Sequence, residues 1–118
     1  MTISTHDIPG LKYAWVTLDE YAAAKSVVLM KAPYAMQLRT VNVYFAGTAA
    51  TSNATMTLYS GATAIGTAST AGTPAYKTAA AAYSGTLDIA ADTLISMECA
   101  VGSGTVPSAL VEVAYWGG

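Results

Sequence analysis

The sequence predicts an all-β domain, an antiparallel β-sandwich of the jelly-roll kind with seven or eight short strands. Three observations predict it. Apolar and polar residues alternate with a period of two through several short windows, as half-buried strands require. Clusters of Gly, Pro, Asp, Asn and Ser separate those windows at close intervals. No window carries a long helical pattern, so helices do not compete for the core.

Residues 1–10, MTISTHDIPG, are polar and end on an Ile8-Pro9-Gly10 break, which reads as an N-terminal arm. Residues 11–118 read as one sandwich domain, because 118 residues supply one packed core and not two. Lys12 to Thr17 sets Tyr13 and Trp15 against Lys12, Ala14 and Val16, a short strand with Trp15 as its anchor. Asp19 to Lys25, DEYAAAK, has an acidic start, three alanines and a terminal lysine, which favour a short helical turn. Ser26 to Met30, SVVLM, is a β-branched apolar run that Pro33 stops, and it reads as a strand.

The clearest alternation lies between Ala32 and Gly61. Val41, Val43 and Phe45 share one face of a strand, with Thr40, Asn42 and Tyr44 on the other. After a polar loop, Met56 and Leu58 oppose Thr55, Thr57 and Tyr59 in a second strand. Ser60-Gly61 marks a tight turn, and Thr63 to Thr67 reads as the returning hairpin strand, weakened by Gly66. Ala68 to Ser84 is low in complexity. Gly72 and Pro74 favour a loop there, and Ala79 to Ala82 suit a turn of helix.

Gly85 to Ile89 places Leu87 and Ile89 on one face, and Ala91-Asp92 turns the chain. Leu94 to Val101 sends Ile95, Met97, Cys99 and Val101 inward and Glu98 outward. Gly102 to Pro107 forms a loop, and Ala109 to Trp116 closes the fold with Val111, Val113 and Tyr115 set against Leu110, Glu112, Ala114 and Trp116.

Only 10% of the residues are charged, against a usual level of about 25%. The surface is therefore built mainly from small neutral and hydroxylated side chains, and the deficit suits a chain partly covered by neighbouring subunits. Five scattered basic residues, Lys12, Lys25, Lys31, Arg39 and Lys77, and a net charge of -2 offer no stripe for a phosphate backbone, so nucleic acid is not an expected partner. No apolar window approaches the roughly 20 residues that span a bilayer, and the first residues lack the features of a secretory signal. The expectation is no membrane partner and synthesis in a cytoplasm. Cys99 is the single cysteine, so packing and not an internal disulfide holds the fold.

Reactive groups are sparse. His6, the only histidine, reads as solvated, and Cys99 as a small buried hydrophobe. Asp88 and Asp92 flank a turn, where capping is commoner than calcium binding, and their spacing leaves ion binding open. The segments GATAIG and VGSGT lack the lysine of a phosphate loop. Asn53-Ala54-Thr55 matches a glycosylation sequon that arises readily by chance. The reading is a protein without catalytic residues, cofactor or metal. Tyr44, Tyr59 and Trp116 fall on non-core faces and are the candidates for a sugar-stacking platform, with Tyr59 and Trp116 also candidates for neighbour contact. No cluster of Asp, Asn, Gln or Arg is expected beside them to hold sugar hydroxyls. Tyr76 and Tyr83 suit contact with a neighbour or packing onto their own sheet.

The segments KAPYAMQLRTVNVYFAGTAATSNATMTLYSGATAIGTAST and GTLDIAADTLISMECAVGSGTVPSALVEVAYW resemble small β-sandwich virion proteins of tailed bacteriophages, most closely head decoration, or cement, proteins. The shared pattern is a proline-led entry, a long alternating strand, a Gly-Thr-Ala-Ala-Thr loop, a TMTLYSG strand and turn, and an acidic turn before two closing strands. Ala91 stands where that acidic turn usually has glycine. The resemblance implies a structural protein of the virion that binds between major capsid subunits as a homo-oligomer, with a trimer as first guess. It is made in the host cytoplasm and displayed on the capsid surface. His6, Ile8, Pro9, Tyr76 and Tyr83 are then candidates for capsid or subunit contact. The alternative is a tail or fibre module that binds a host glycan or another virion protein.

Overall fold

A computed structural model describes residues 11–46, 55–69, 79–102 and 104–117. They form eight strands: β1 (Leu11–Leu18), β2 (Lys25–Lys31), β3 (Met36–Phe45), β4 (Thr55–Ser60), β5 (Thr63–Ser69), β6 (Ala79–Ile89), β7 (Leu94–Cys99) and β8 (Ala109–Gly117). One sheet has the order β1-β8-β3-β6 and the other β2-β7-β4-β5, with every pair antiparallel. β1 pairs with β8, β2 with β7, β3 with β6 and β4 with β5. The chain is thus one long antiparallel ribbon folded back at Gly61 and Ala62, one residue beyond the expected Ser60-Gly61, then rolled so that β8 meets β3 and β7 meets β4. That is the predicted jelly roll.

Alternation explains which side of each strand is buried. Val41, Val43, Phe45, Met56, Leu58, Ile95, Met97, Val111 and Val113 are each no more than 1% exposed between the sheets. Burying a side chain of this size contributes about 1.5–3 kcal/mol. The one ion pair among the described residues, Lys31 Nζ to Asp92 Oδ1 at 3.6 Å, lies at the surface, where such pairs contribute at most about 1 kcal/mol. Apolar packing holds the fold.

A bulge resets the alternation inside β3. Leu38 opposes Tyr115 of β8, and Thr40 opposes the adjacent Ala114, so Arg39 is the extra residue. Leu38 and Val41 both point inward although three residues apart, and both are fully buried.

Three expectations are corrected. Asp19 to Lys25 forms no helical turn: Tyr21 bridges to Val106 through two backbone hydrogen bonds of 3.0 and 2.8 Å, and the chain bends at Ala22 and Ala23 to enter β2. Ala79 to Ala82 begins β6, where Ala79, Ala80 and Ala81 pair with Tyr44, Val43 and Asn42. In both places backbone pairing with a distant segment overrides an alanine preference worth only tenths of a kcal/mol per residue. Trp15 is not a core anchor, since Ala14 and Val16 take the inward positions of β1 and Trp15 is exposed. Val101 lies beyond β7 but still packs on the core.

Gly66 does not interrupt β5. A Cβ there would run into the carbonyl oxygen of Ala82, so the glycine lets the free edges of β5 and β6 close on each other. Gly61 sits at φ 62°, the left-handed conformation the hairpin turn demands. Gly66→Ala is expected to lower stability by about 1–3 kcal/mol through overpacking, and Gly61→Ala by about 1 kcal/mol through strain. Urea unfolding measures both, and a Gly66→Ala protein as stable as the parent would show that the two edges do not meet.

Candidate binding face

The outer face of the first sheet is assembled from residues that the jelly roll brings together from both ends of the chain. Leu11 lies opposite Trp116, Tyr13 opposite Ala114, Trp15 opposite Glu112 and Thr17 opposite Leu110. Directly opposed residues of an antiparallel pair share a face. Leu11, Tyr13, Trp15, Leu110 and Trp116 therefore crowd one surface, each between 38% and 54% exposed. The other large exposed apolar residues among those described, Val28 and Leu94, lie on the second sheet. Tyr13 and Trp15 stack with ring centroids 6.1 Å apart and planes 22° apart. A single sheet face is thus conspicuously apolar.

Polar groups gather around Trp116. The guanidinium of Arg39, lifted outward by the β3 bulge, lies 5.5 Å from the centre of the Trp116 ring. Its Nε is buried and has no hydrogen-bond partner among the described residues. Gln37 is the cross-strand neighbour of Trp116, and its Nε2 donates to Asp88 Oδ1 at 3.2 Å. Two cavities flank the indole. One of about 640 Å³ is lined by Met36, Gln37, Asp88 and Ile89, and one of about 540 Å³ by Leu11, Tyr13, Arg39, Ser84 and Thr86. The expectation that no Asp, Gln or Arg accompanies an exposed aromatic is corrected here. The three polar residues come from β3 and β6, so only the sheet pairing unites them.

Further along the face, Glu112 Oε1 accepts from Asn42 Nδ2 and Tyr44 Oη, both at 3.5 Å. Partial burial and the Glu112 carboxylate raise the Tyr44 pKa.

The predicted contact residues do not converge. Tyr59 projects from β4 in the second sheet, so it and Trp116 belong to different faces. Tyr83 is half-buried against the core in β6, opposite Val41. His6, Ile8, Pro9, Tyr76 and Asn53 lie outside the described residues. Asp92 adopts φ 70° and donates its backbone N–H to the Ala32 carbonyl at 2.8 Å. The left-handed position of the acidic turn is thus residue 92, and Ala91 fits beside it without strain. Among the described residues no three His, Cys, Asp or Glu side chains gather in a metal-binding group. No helix among them is long and apolar enough to cross a membrane.

Cys99 is buried beneath Tyr21, whose hydroxyl donates to the Ala100 carbonyl at 3.4 Å. Burial pushes the Cys99 thiol up, with Tyr21 and Lys25 opposing the shift. Burial also raises the Tyr21 phenol, reinforced by Cys99. No protein family, curated protein or solved structure matches the chain.

A raised folded-state pKa means the native state holds its proton more tightly than the unfolded chain. The associated stability is complete below the ordinary values of 9.0 for the thiol and 10.0 for the phenol, and is lost as pH rises through the raised values. Thermal melts are expected to keep a level midpoint between about pH 6 and 8 and to lose it above about pH 9. A Cys99→Ala, Tyr21→Phe double variant should lose part of that alkaline decline. An unchanged decline would place its origin elsewhere.

Proposed function

We propose that the chain is a structural virion protein that decorates and stabilises a phage capsid shell, binding between major capsid subunits as a homo-oligomer. One observation supports this reading most: a sheet face of a double-layered scaffold on which Leu11, Tyr13, Trp15, Leu110 and Trp116 are exposed together. Aromatic side chains exposed on a fixed backbone are strong anchors for a protein partner, because they bury large areas and lose little conformational freedom. The sequence resemblance supplies the kind of partner. A repeated lattice engages many copies at once, so each site needs only modest affinity.

Stabilisation then follows from mass action. The protein binds the assembled lattice and not the dispersed subunits, and occupancy at one hundred times the dissociation constant contributes about 2.7 kcal/mol per site. The proposed location is the outer capsid surface, reached after synthesis in the host cytoplasm.

Quantitative mass spectrometry of purified virions tests the proposal. The expected result is a copy number in simple proportion to the major capsid subunit, with particles lacking the chain releasing their contents at lower temperature. Absence from the particle would overturn it. Trp15→Lys is expected to reduce shell binding by at least about tenfold, the loss that truncating an interface anchor typically causes, while the sandwich stays folded.

A second reading rests on the surroundings of Trp116. An exposed indole beside Gln37, Arg39 and Asp88, with a cavity on each side, suits a sugar ring stacked on the aromatic face with its hydroxyls held by the polar groups. On this reading the chain is a tail or fibre module that binds a host glycan. Saturable oligosaccharide binding is expected to vanish with Trp116→Ala and to survive Tyr59→Ala, which alters the opposite sheet. Loss through Tyr59 alone would exclude the Trp116 site.

A further inference from the structure

A sheet edge presents unpaired backbone groups, and folded proteins protect such edges with charges, prolines, bulges or covering elements. This jelly roll has four edge strands, β1 and β6 in one sheet and β2 and β5 in the other. Three are protected. β2 begins and ends on lysine, Lys25 and Lys31, and its register shifts between Val28 and Met30. β5 and β6 cover each other where Gly66 meets the Ala82 carbonyl, and β6 carries two register shifts of its own.

Along its middle β1 carries no bulge, proline or charge. It keeps an unbroken eight-residue register with β8 and contains neither proline nor glycine. Its one charge, Lys12, sits near the start, where its Nζ donates to Tyr34 Oη at 2.7 Å. On the side away from β8, no described strand lies hydrogen-bonded to it. From Tyr13 to Thr17 the edge is uncharged and lined on its outer side by the stacked Tyr13 and Trp15 rings.

We propose that β1 pairs antiparallel with β1 of a second copy of this chain, across a two-fold axis at Ala14. The register follows from the faces. Opposed residues must lie on the same side of the joined sheet, so Trp15 has to meet an outward residue of the other copy. Centring on Ala14 sets Tyr13 of each copy against Trp15 of the other, Leu11 against Thr17, and Lys12 against Val16. Four aromatic rings then form one cluster, and no like charges are opposed. Shifting by two residues in one direction sets the two Trp15 side chains against each other and Lys12 against Leu18. Shifting in the other direction leaves fewer residues paired.

The joined sheet has eight strands and a single outer face twice the area of one copy's. The association is isologous and two-fold, which differs from the three-fold assembly that the resemblance implies. It forms in the purified protein and does not depend on a capsid shell, so its failure and that of the decoration reading are separable.

Cysteine cross-linking of the full chain in a Cys99→Ala background tests the pairing. Two Ala14 Cα atoms across the axis come within about 4.5–5.5 Å, inside the range a disulfide spans. Two Thr17 Cα atoms would be about 20 Å apart, six strand residues at 3.4 Å each. Mild oxidation is therefore expected to give at least roughly ten times more covalent dimer from Ala14→Cys than from Thr17→Cys. Light scattering should show a dimer for the parent and a monomer for Trp15→Lys, with circular dichroism confirming that the variant is folded. A parent that stays monomeric up to near-millimolar concentration, or equal cross-linking at the two positions, would overturn the proposal.

Discussion

The fold depends on nested strand pairing about the turn at Gly61 and Ala62. Once β4 and β5 are aligned, each later pair joins segments further apart in the chain, ending with β1 on β8. An error of one residue at the turn would move every inward side chain of the ribbon to the wrong face. Register is protected by the core itself, because Met56 and Leu58 in β4 and Ile95 and Met97 in β7 fill the same apolar layer. Such long-range pairing predicts slow folding, since loop closure must precede most of the stabilising contacts.

Much of this architecture was legible in the residues. Period-two alternation marked β3, β4, β7 and β8 because each has one face on the core and one face outward, the condition under which alternation carries information. Reading failed where local preference and distant pairing disagreed. The alanines of β6 and the DEYAAAK segment favour helix locally, yet Asn42 to Tyr44 and Val106 supply backbone partners that no local window contains. Trp15 misled for a different reason. It reads as an anchor, but the phase of β1 turns Ala14 and Val16 toward the core and leaves Trp15 exposed.

The candidate site was less legible than the fold. Trp116 was singled out from its phase in β8, while its neighbours were not, because Gln37, Arg39 and Asp88 reach it only through β3 and β6. Arg39 is the instructive case. Strict alternation through β3 has no place for a residue that breaks phase, and the bulge that accommodates it also lifts a cation onto an exposed indole. Of the three aromatics read as one platform, Tyr44 and Trp116 share a sheet and Tyr59 does not, because phase within a strand does not reveal which sheet the strand joins.

The opposition of Leu11 and Trp116 has a mechanical meaning. The outermost pair of the ribbon begins where β1 enters and ends where β8 leaves, so the two ends of the domain emerge side by side at one corner. Tension applied through them loads the β1–β8 ladder one hydrogen bond at a time, as a zipper is opened, instead of shearing all the bonds together. Held by its flanking segments, the domain peels from that corner at low force. Held by its broad sheet face, it bears load across both layers.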